Sequence, residues 1–235
     1  MAHLLQIGPL IARKAETSDD LHLCQSLRHQ AFFGVQGVDR DPFDDSFEHL
    51  MIVNGAGALL ATLRLRVLTG QEEIPATYTG QFYDITGIDG PLIELGRFCL
   101  SPSANPVDVL RLMWAAVSID VDRIGAKWLF GCSSFDGADP ALHTESLARL
   151  NRDHLVEDHI KISAKAADFV VFPSGAVGGN PQFPPLLRSY LAMGGKTGNS
   201  AVIDPHMGTI HVCTVLEVAK IPPARARAVR ALARS

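Results

Sequence analysis

The stretch PLIELGRFCL, residues 91–100, predicts a buried strand that carries a carboxylate. Alternate side chains of a strand point to opposite faces, so Glu94 shares a face with Leu92 and Phe98. A carboxylate on an apolar face is costly to bury unless it is paired or used in chemistry. Gly96, two residues further on, indicates a bulge or the close approach of a ligand. Glu94 is therefore a candidate general base; the alternatives are an edge glutamate in water and a buried Glu–Arg pair.

The segments around this strand predict an α+β fold. Asn105 and Pro106 are typical of a helix N-terminus, and Gly125 is typical of the residue that ends a helix. Together, the patterns predict a strand at 8–14, a helix from Thr17 to about Phe33, strands at 49–53, 58–68, 91–100 and 127–134, helices at 106–124, 139–153 and 185–193, a loop at 194–198, and strands at 200–204 and 209–218.

The composition indicates one folded domain over residues 1–235, with a core at about 8–218 and a basic helix at about 223–235. The chain has 47% apolar residues and a net charge of -4, which argues against a nucleic-acid partner. Its four cysteines lack the spacing of a zinc site, and no metal is expected. Because the N-terminus lacks a secretory pattern, a cytoplasmic location is expected.

An acidic loop follows the first helix. Asp39, Asp41, Asp44 and Asp45 could together bind a cation, although the loop lacks the pattern of an EF-hand. The alternative is a solvated loop. Without further context, Arg28 and Arg64 are interpreted as charges on the protein surface.

Four segments occur in an order that resembles the N-acyltransferases that make ornithine lipid. These segments are Arg28-x-x-x-Phe32, DPFD from Asp41 to Asp44, LRL around Arg64, and ELGRF from Glu94 to Phe98. The same order is similar, more loosely, to acyl-homoserine-lactone synthases. Both families have the GCN5-related N-acyltransferase (GNAT) fold, so the resemblance implies a mixed central sheet flanked by helices, with a C-terminal extension.

The resemblance implies a bacterial enzyme of lipid biosynthesis. It would move a 3-hydroxyacyl group from acyl carrier protein to the α-amine of an amino acid, giving a lyso-aminolipid. Ornithine is the expected acceptor, and glutamine is its rival. No cofactor is implied, because the donor is a 4'-phosphopantetheine thioester on the carrier protein.

The resemblance also assigns roles to residues. Glu94 would take the proton from the amine, and a bulge near Gly96 would offer a backbone N–H to the thioester oxygen. The residues expected to shape the acceptor pocket are Arg28, Phe32, Asp41, Asp44, Arg64, Arg97 and Phe98. In a regular strand Arg97 would point away from Glu94, so a bulge is needed if both line one site.

The turn after this strand favours a carrier-protein donor. Acetyl-CoA-dependent members of the fold have a glycine-rich Q/RxxGxG/A turn there, which holds the pyrophosphate. This chain has SPSANP at residues 101–106 instead. A helix N-terminus at Asn105 and Pro106 can hold the single phosphodiester of phosphopantetheine.

Two basic segments are candidates for docking the acidic carrier protein. One follows residue 106 and contains Arg111, Arg123 and Lys127; the other, near the C-terminus, contains Arg225, Arg227 and Arg230. The alternatives for the second segment are a solvated helix and peripheral contact with the inner face of the membrane.

Two other functions remain open. An acyl-homoserine-lactone synthase would need an S-adenosylmethionine pocket, and the loop before Asp39 lacks the Trp common in those enzymes. A non-catalytic acyl-binding domain would not need Glu94 or the intact ELGRF segment.

Overall fold

A computed structural model describes residues 3–175 and 179–234, and the chain groups into two compact units. The first unit contains Met1–Val67, Leu95–Ala126 and Pro222–Ser235; the second contains Leu68–Glu94 and Lys127–Ile221. In chain order the elements are β1 (His3–Ile7), β2 (Leu10–Lys14), α1 (Ser18–Phe33), β3 (Glu48–Asn54), β4 (Leu59–Leu68), α2 (Tyr78–Phe82), β5 (Tyr83–Thr86), β6 (Leu92–Leu100), α3 (Pro106–Ile124), β7 (Trp128–Asp136), α4 (Thr144–Asp153), β8 (Lys161–Ala164), β9 (Phe169–Val171), α5 (Pro185–Ala192), β10 (Lys196–Asp204), β11 (Thr209–Glu217) and α6 (Pro223–Leu232).

The first unit is a sheet packed against helices. Its strands lie in the order β1-β2-β3-β4-β6, and β1, β2, β3 and β4 pair antiparallel. Helix α1 places Cys24 on Met51 and Val53 of β3, while α3 packs against β1, β2 and β3. This packing fixes α1 on the sheet and holds Arg28 beside the loop that follows the helix.

The second unit contains the strands β7, β9, β10 and β11. The first residues of β6 pair parallel with β7, and β7, β11, β10 and β9 continue antiparallel. Along β11, Ile210 and Val212 face a core shared with α4 and α5, whereas Cys213 and Val215 face the small β5–β8 sheet. The predicted α+β class with a mixed sheet is confirmed.

The ends of two predicted helices are confirmed by their caps. Thr17 accepts a hydrogen bond from the Asp20 amide at the start of α1, and Asn105 accepts one from Val107 at the start of α3. Gly125 ends α3 with a φ of 65°, a left-handed conformation that suits glycine. These signals are local in sequence, which explains why the prediction was accurate.

The predicted loop at 194–198 is wrong, because β10 begins at Lys196. Thr197 is buried and pairs with Thr214 of β11. A Cβ atom on Gly198 would lie 2.8 Å from the Ile162 side chain, so glycine serves close packing there rather than a turn.

Two features of the fold were not predicted. Residues 3–7 form β1, which pairs with β2 through a turn at Gly8 and Pro9, so the predicted strand at 8–14 begins at Leu10 instead. The polar stretch 69–90 contains α2 and β5, which cover Phe130 in the core of the second unit.

Candidate functional site

Three arginines and three aspartates of the first unit form a buried cluster, which we call the arginine–aspartate cluster. Arg28 of α1 is fully buried and binds Asp44 through Nη1 and Nη2, at 2.7 and 2.9 Å. Its Nε donates to Asp39 at 2.8 Å. These carboxylates lie on the loop that follows α1. Arg28 of α1 therefore binds this loop to the helix that precedes it.

Arg64 and Arg97 bind the same loop from two strands. Arg64 of β4 donates from Nη1 to both oxygens of Asp41, at 2.7 and 2.8 Å, and to Asp44 at 3.0 Å. Arg97 of β6 donates from Nη2 to Asp41 at 3.0 Å. The Arg64 guanidinium also lies 4.7 Å from the centre of the Phe47 ring, a cation–π distance.

The charges of the cluster balance. Burial would raise the pKa of Asp44, but hydrogen bonds from Arg28 and the positive charge of Arg64 hold that pKa well below its usual range. Burial lowers the pKa of His49, whose Nε2 lies 3.2 Å from the Asp44 carbonyl oxygen, so this histidine is neutral at neutral pH. Three guanidinium groups therefore face three carboxylates.

The structure brings together most of the predicted pocket residues of the first unit. Arg28, Asp41, Asp44, Arg64 and Arg97 all lie in the cluster, and Phe32 stacks on Arg97 with its ring centre 5.7 Å from the guanidinium carbon. The default assignment of Arg28 and Arg64 to the surface is wrong, because both are fully buried. Phe98 is half-buried.

Two further members of the cluster were not predicted. Gln25 donates from Nε2 to Asp44 at 2.9 Å, and Phe47 lies under Arg64. Gln25 lies one helical turn before Arg28. This spacing could have indicated that both side chains lie on the same face of α1.

Strand β6 is distorted next to the predicted catalytic pair. Arg97 has a φ of 52°, a left-handed conformation that is uncommon for a residue other than glycine. The pairing of β6 with β7 covers Leu92, Ile93 and Glu94 among the described residues. A Cβ atom on Gly96 would lie 3.7 Å from Nε of Arg64, so a small side chain has room there.

Glu94 lies in the core of the second unit. Its exposed fraction is 1%, and its Oε1 accepts a hydrogen bond of 2.6 Å from the Thr79 amide in α2. Tyr190 and Cys213 are close enough to interact electrostatically with Glu94. Burial raises the pKa of both groups well above their usual values, so both are neutral at neutral pH. A buried carboxylate that is held in place by a backbone amide is suited to accepting a proton.

A second buried polar group in this unit has a structural role. The Tyr83 hydroxyl donates to the His211 carbonyl oxygen at 2.6 Å and accepts from the Val202 amide at 3.2 Å. Burial lowers the pKa of His211 to about 4, so its ring is neutral and packs edge-on against Phe82. These bonds tie β5 to β10 and β11.

The predicted phosphate position lies beside a cavity in the first unit. The cavity has a volume of about 380 Å³. Its lining residues come from α1, the end of β6 and the start of α3: Leu27, Gln30, Ala31, Leu100, Ser101, Pro102, Ala104 and Pro106. The Asn105 side chain accepts from the Val107 amide at 3.0 Å and so occupies one donor of the first turn.

The predicted docking residues fall into two groups. Arg123 pairs with Asp120 at 2.7 Å, and Arg230 of α6 pairs with Asp122 of α3 at 2.8 Å. The other four are exposed and form no ion pair with a described residue: Arg111, Lys127, Arg225 and Arg227.

Within residues 3–175 and 179–234, no group of three or more His, Cys, Asp or Glu side chains could hold a metal ion. In the same part of the chain, the helices are too short or too polar to cross a membrane.

The chain is similar to known proteins in sequence and in fold. Residues 26–115 match the family model described as the acetyltransferase (GNAT) domain. Over 92% of its length the chain is 28% identical to the L-ornithine N(alpha)-acyltransferase of Brucella abortus (strain 2308), of which it covers 87%. It is 26% identical, over 92% of its length, to the enzyme of the same name from Rhizobium meliloti (strain 1021), of which it covers 82%.

Among solved structures, the apo form of TofI is similar to 95% of this chain, which covers 98% of TofI with a TM-score of 0.50. The two chains are 14% identical, so this likeness concerns the fold.

The fold and the comparisons define an acyltransferase with a GNAT fold. Within this class, the chain is related over almost its whole length to bacterial proteins named L-ornithine N(alpha)-acyltransferase. The resemblance found in the sequence and the predicted enzyme class are both confirmed.

Proposed function

We propose that this chain transfers a 3-hydroxyacyl group from acyl carrier protein to the α-amine of ornithine. The similarity to the L-ornithine N(alpha)-acyltransferases supports the reaction and its acceptor. The observation that carries the proposal is Glu94, a carboxylate buried in the sheet and held by the Thr79 amide.

Glu94 acts in this reaction as the general base. At neutral pH an α-amine is mostly protonated, and only its neutral form attacks a carbonyl carbon, so the proton needs an acceptor. Glu94 takes the proton from the ammonium group, and the neutral amine then attacks the thioester carbon to form the C–N bond. When the C–S bond breaks, the pantetheine thiolate leaves and takes up the second proton that the nitrogen loses, so that it departs as the thiol. The backbone N–H at Gly96 donates to the carbonyl oxygen as negative charge develops on it.

The arginine–aspartate cluster orders the loop after α1. Each guanidinium of the cluster already binds a carboxylate of the same loop, so the cluster needs no substrate charge to be neutral. The cluster therefore contributes to acceptor binding by fixing the conformation of this loop through Asp39, Asp41 and Asp44.

The cavity at the start of α3 is the proposed place of the phosphopantetheine arm. Its walls combine apolar side chains with the first turn of a long helix, whose N-terminus favours an anion. The turn at residues 101–106 lacks the glycines that would hold a pyrophosphate, which favours a carrier-protein thioester over an acyl-CoA.

The proposal is tested with the purified chain, 3-hydroxyacyl carrier protein and a choice of acceptors, with products identified by mass spectrometry. We expect N-acyl-ornithine, with glutamine acylated more slowly and 3-hydroxyacyl-CoA a poor donor. Formation of an acyl-homoserine lactone from S-adenosylmethionine would show instead that the chain is an acyl-homoserine-lactone synthase. Binding of the acyl donor without any product would indicate a non-catalytic domain.

The exposed basic residues are the proposed carrier-docking surface. Arg230 anchors α6 to Asp122, which is about 24 Å along α3 from Pro106, so α6 contacts the later part of α3. Arg111 is closer to the start of that helix. Arg111 on the one hand, and Arg225 with Arg227 on the other, are therefore two separate candidate contacts with the carrier protein.

Removal of these charges is expected to weaken carrier binding. Arg111→Gln and the double change Arg225→Gln with Arg227→Gln should each raise the KM for the carrier protein and weaken its salt dependence, with kcat unchanged. Arg188→Gln, an exposed charge elsewhere, is the control. If all variants match the control, docking lies elsewhere, and co-sedimentation with anionic vesicles then tests α6 for membrane contact.

A further inference from the structure

The short helix α2 is locked at its start by one buried hydroxyl. Thr77 is fully buried; its Oγ1 donates to the Ile74 carbonyl oxygen at 2.7 Å and accepts from the Gly80 amide at 3.0 Å. A Cβ atom on Gly80 would lie 1.8 Å from that same carbonyl oxygen, so only glycine allows the turn to close this tightly. The conformation of residues 74–80 is thus set by the hydroxyl and by close backbone contact.

Other residues of the second unit also hold α2 in place. Lys165, next to β8, donates from Nζ to the Gly80 carbonyl oxygen at 3.0 Å and from its amide to the Phe82 carbonyl oxygen at 2.8 Å. Cys132 of β7 donates from Sγ to the Thr79 hydroxyl at 3.8 Å. These contacts limit the movement of α2, whereas Thr77 caps its first turn.

The first turn of α2 carries the amide that binds Glu94. Thr79 is fully buried, and its N–H lies 2.6 Å from Oε1 of Glu94. A hydrogen bond from a backbone amide to a carboxylate is short and strong, and it favours the charged form of the acceptor. The orientation of the Glu94 carboxylate therefore depends on where Thr77 places the Thr79 amide.

We propose that Thr77 is a positioning residue for the acyl transfer, acting on Glu94 through the Thr79 amide. This inference rests on the proposed role of Glu94 as the general base. Thr77 itself does not touch the reacting atoms. Its hydroxyl, by capping α2, keeps the carboxylate directed at the amine.

Paired threonine substitutions test the inference. Thr77→Val removes the hydroxyl and keeps the shape, so the first turn of α2 loses its cap and kcat should fall by about 100-fold, as for a misplaced catalytic group. Thr214→Val is the matched control, because it removes a buried hydroxyl of β11 that donates to Ser133 at 3.4 Å, and it leaves α2 and the amide that binds Glu94 unchanged. We expect its kcat within threefold of wild type, roughly the scale of one weak contact.

A conservative change and a structural measurement complete the test. Thr77→Ser should restore most of the lost kcat, and KM for ornithine should stay within about twofold in all three variants because only the proton transfer is affected. Hydrogen–deuterium exchange at the amides of residues 78–82 should rise in Thr77→Val and remain at the wild-type level in Thr214→Val. This second readout requires no turnover.

The outcomes separate this inference from the proposed function. Equal kcat and equal exchange in Thr77→Val and Thr214→Val would overturn the positioning role, while an inactive Glu94→Gln would leave the base assignment in place. Full activity of Glu94→Gln would overturn the base and the positioning role together. If wild type forms no N-acyl product, the proposed function fails, and the exchange measurement alone decides whether Thr77 holds the Thr79 amide.

Discussion

Replacement of Glu94 by glutamine is expected to lower kcat by about 10²- to 10⁴-fold at neutral pH, the usual effect of losing a general base. Glutamine keeps a side-chain oxygen that can accept from the Thr79 amide, so the buried hydrogen bond survives and the chain should fold. What is lost is the ability to take a proton from the amine. The measurement is kcat with both substrates saturating, together with a thermal melt of each protein.

The pH dependence makes this prediction more specific. As the pH rises, a larger fraction of the amine is already neutral, so the variant should regain part of its activity while wild type gains little. Glu72→Gln serves as the control, because Glu72 is exposed in the same unit. A Glu94→Gln enzyme whose activity at neutral pH is within a few-fold of wild type would show that another group accepts the proton.

Much of the fold could be predicted because its signals are local. The helix α3 was predicted to the residue, since Asn105, Pro106 and Gly125 act through backbone groups within one turn of each helix end. The strand β10 was placed too late because Gly198 indicated a loop, whereas its partner Ile162 is distant in sequence. Close packing by glycine has the same local sequence pattern as a turn.

The candidate site was only partly predictable, for a related reason. The alternation of residues 91–100 marked Glu94 as unusual, but its partner is a backbone amide 15 residues earlier, and backbone amides have no sequence signature. In β4, Arg64 alternates with apolar residues as an exposed residue would. Only the pairing with Asp41 and Asp44, across 23 and 20 residues, shows that it is buried.

Replacement of Asp44 by asparagine is expected to destabilise the chain by about 3–5 kcal/mol, because it leaves buried guanidinium groups without their counter-charge. Asp44 accepts from Arg28 at 2.7 Å, from Arg64 at 3.0 Å and from Gln25 at 2.9 Å. Asparagine offers one oxygen and no charge to these donors. The matched control is Asp45→Asn, since the neighbouring Asp45 is exposed, and its effect should lie within about 0.5 kcal/mol of zero. Urea denaturation of the three proteins measures the difference.

The sign of the pH dependence follows from the lowered pKa of Asp44. A carboxyl group whose pKa is lower in the folded than in the unfolded state stabilises the fold above its unfolded pKa of about 4. This contribution is lost as the pH falls toward the folded value. Wild type should therefore lose more stability than Asp44→Asn between neutral pH and about pH 3, and the two urea midpoints should converge. A constant difference over this range would mean that Asp44 acts through its shape and hydrogen bonds, and that its charge does not hold the arginine–aspartate cluster together.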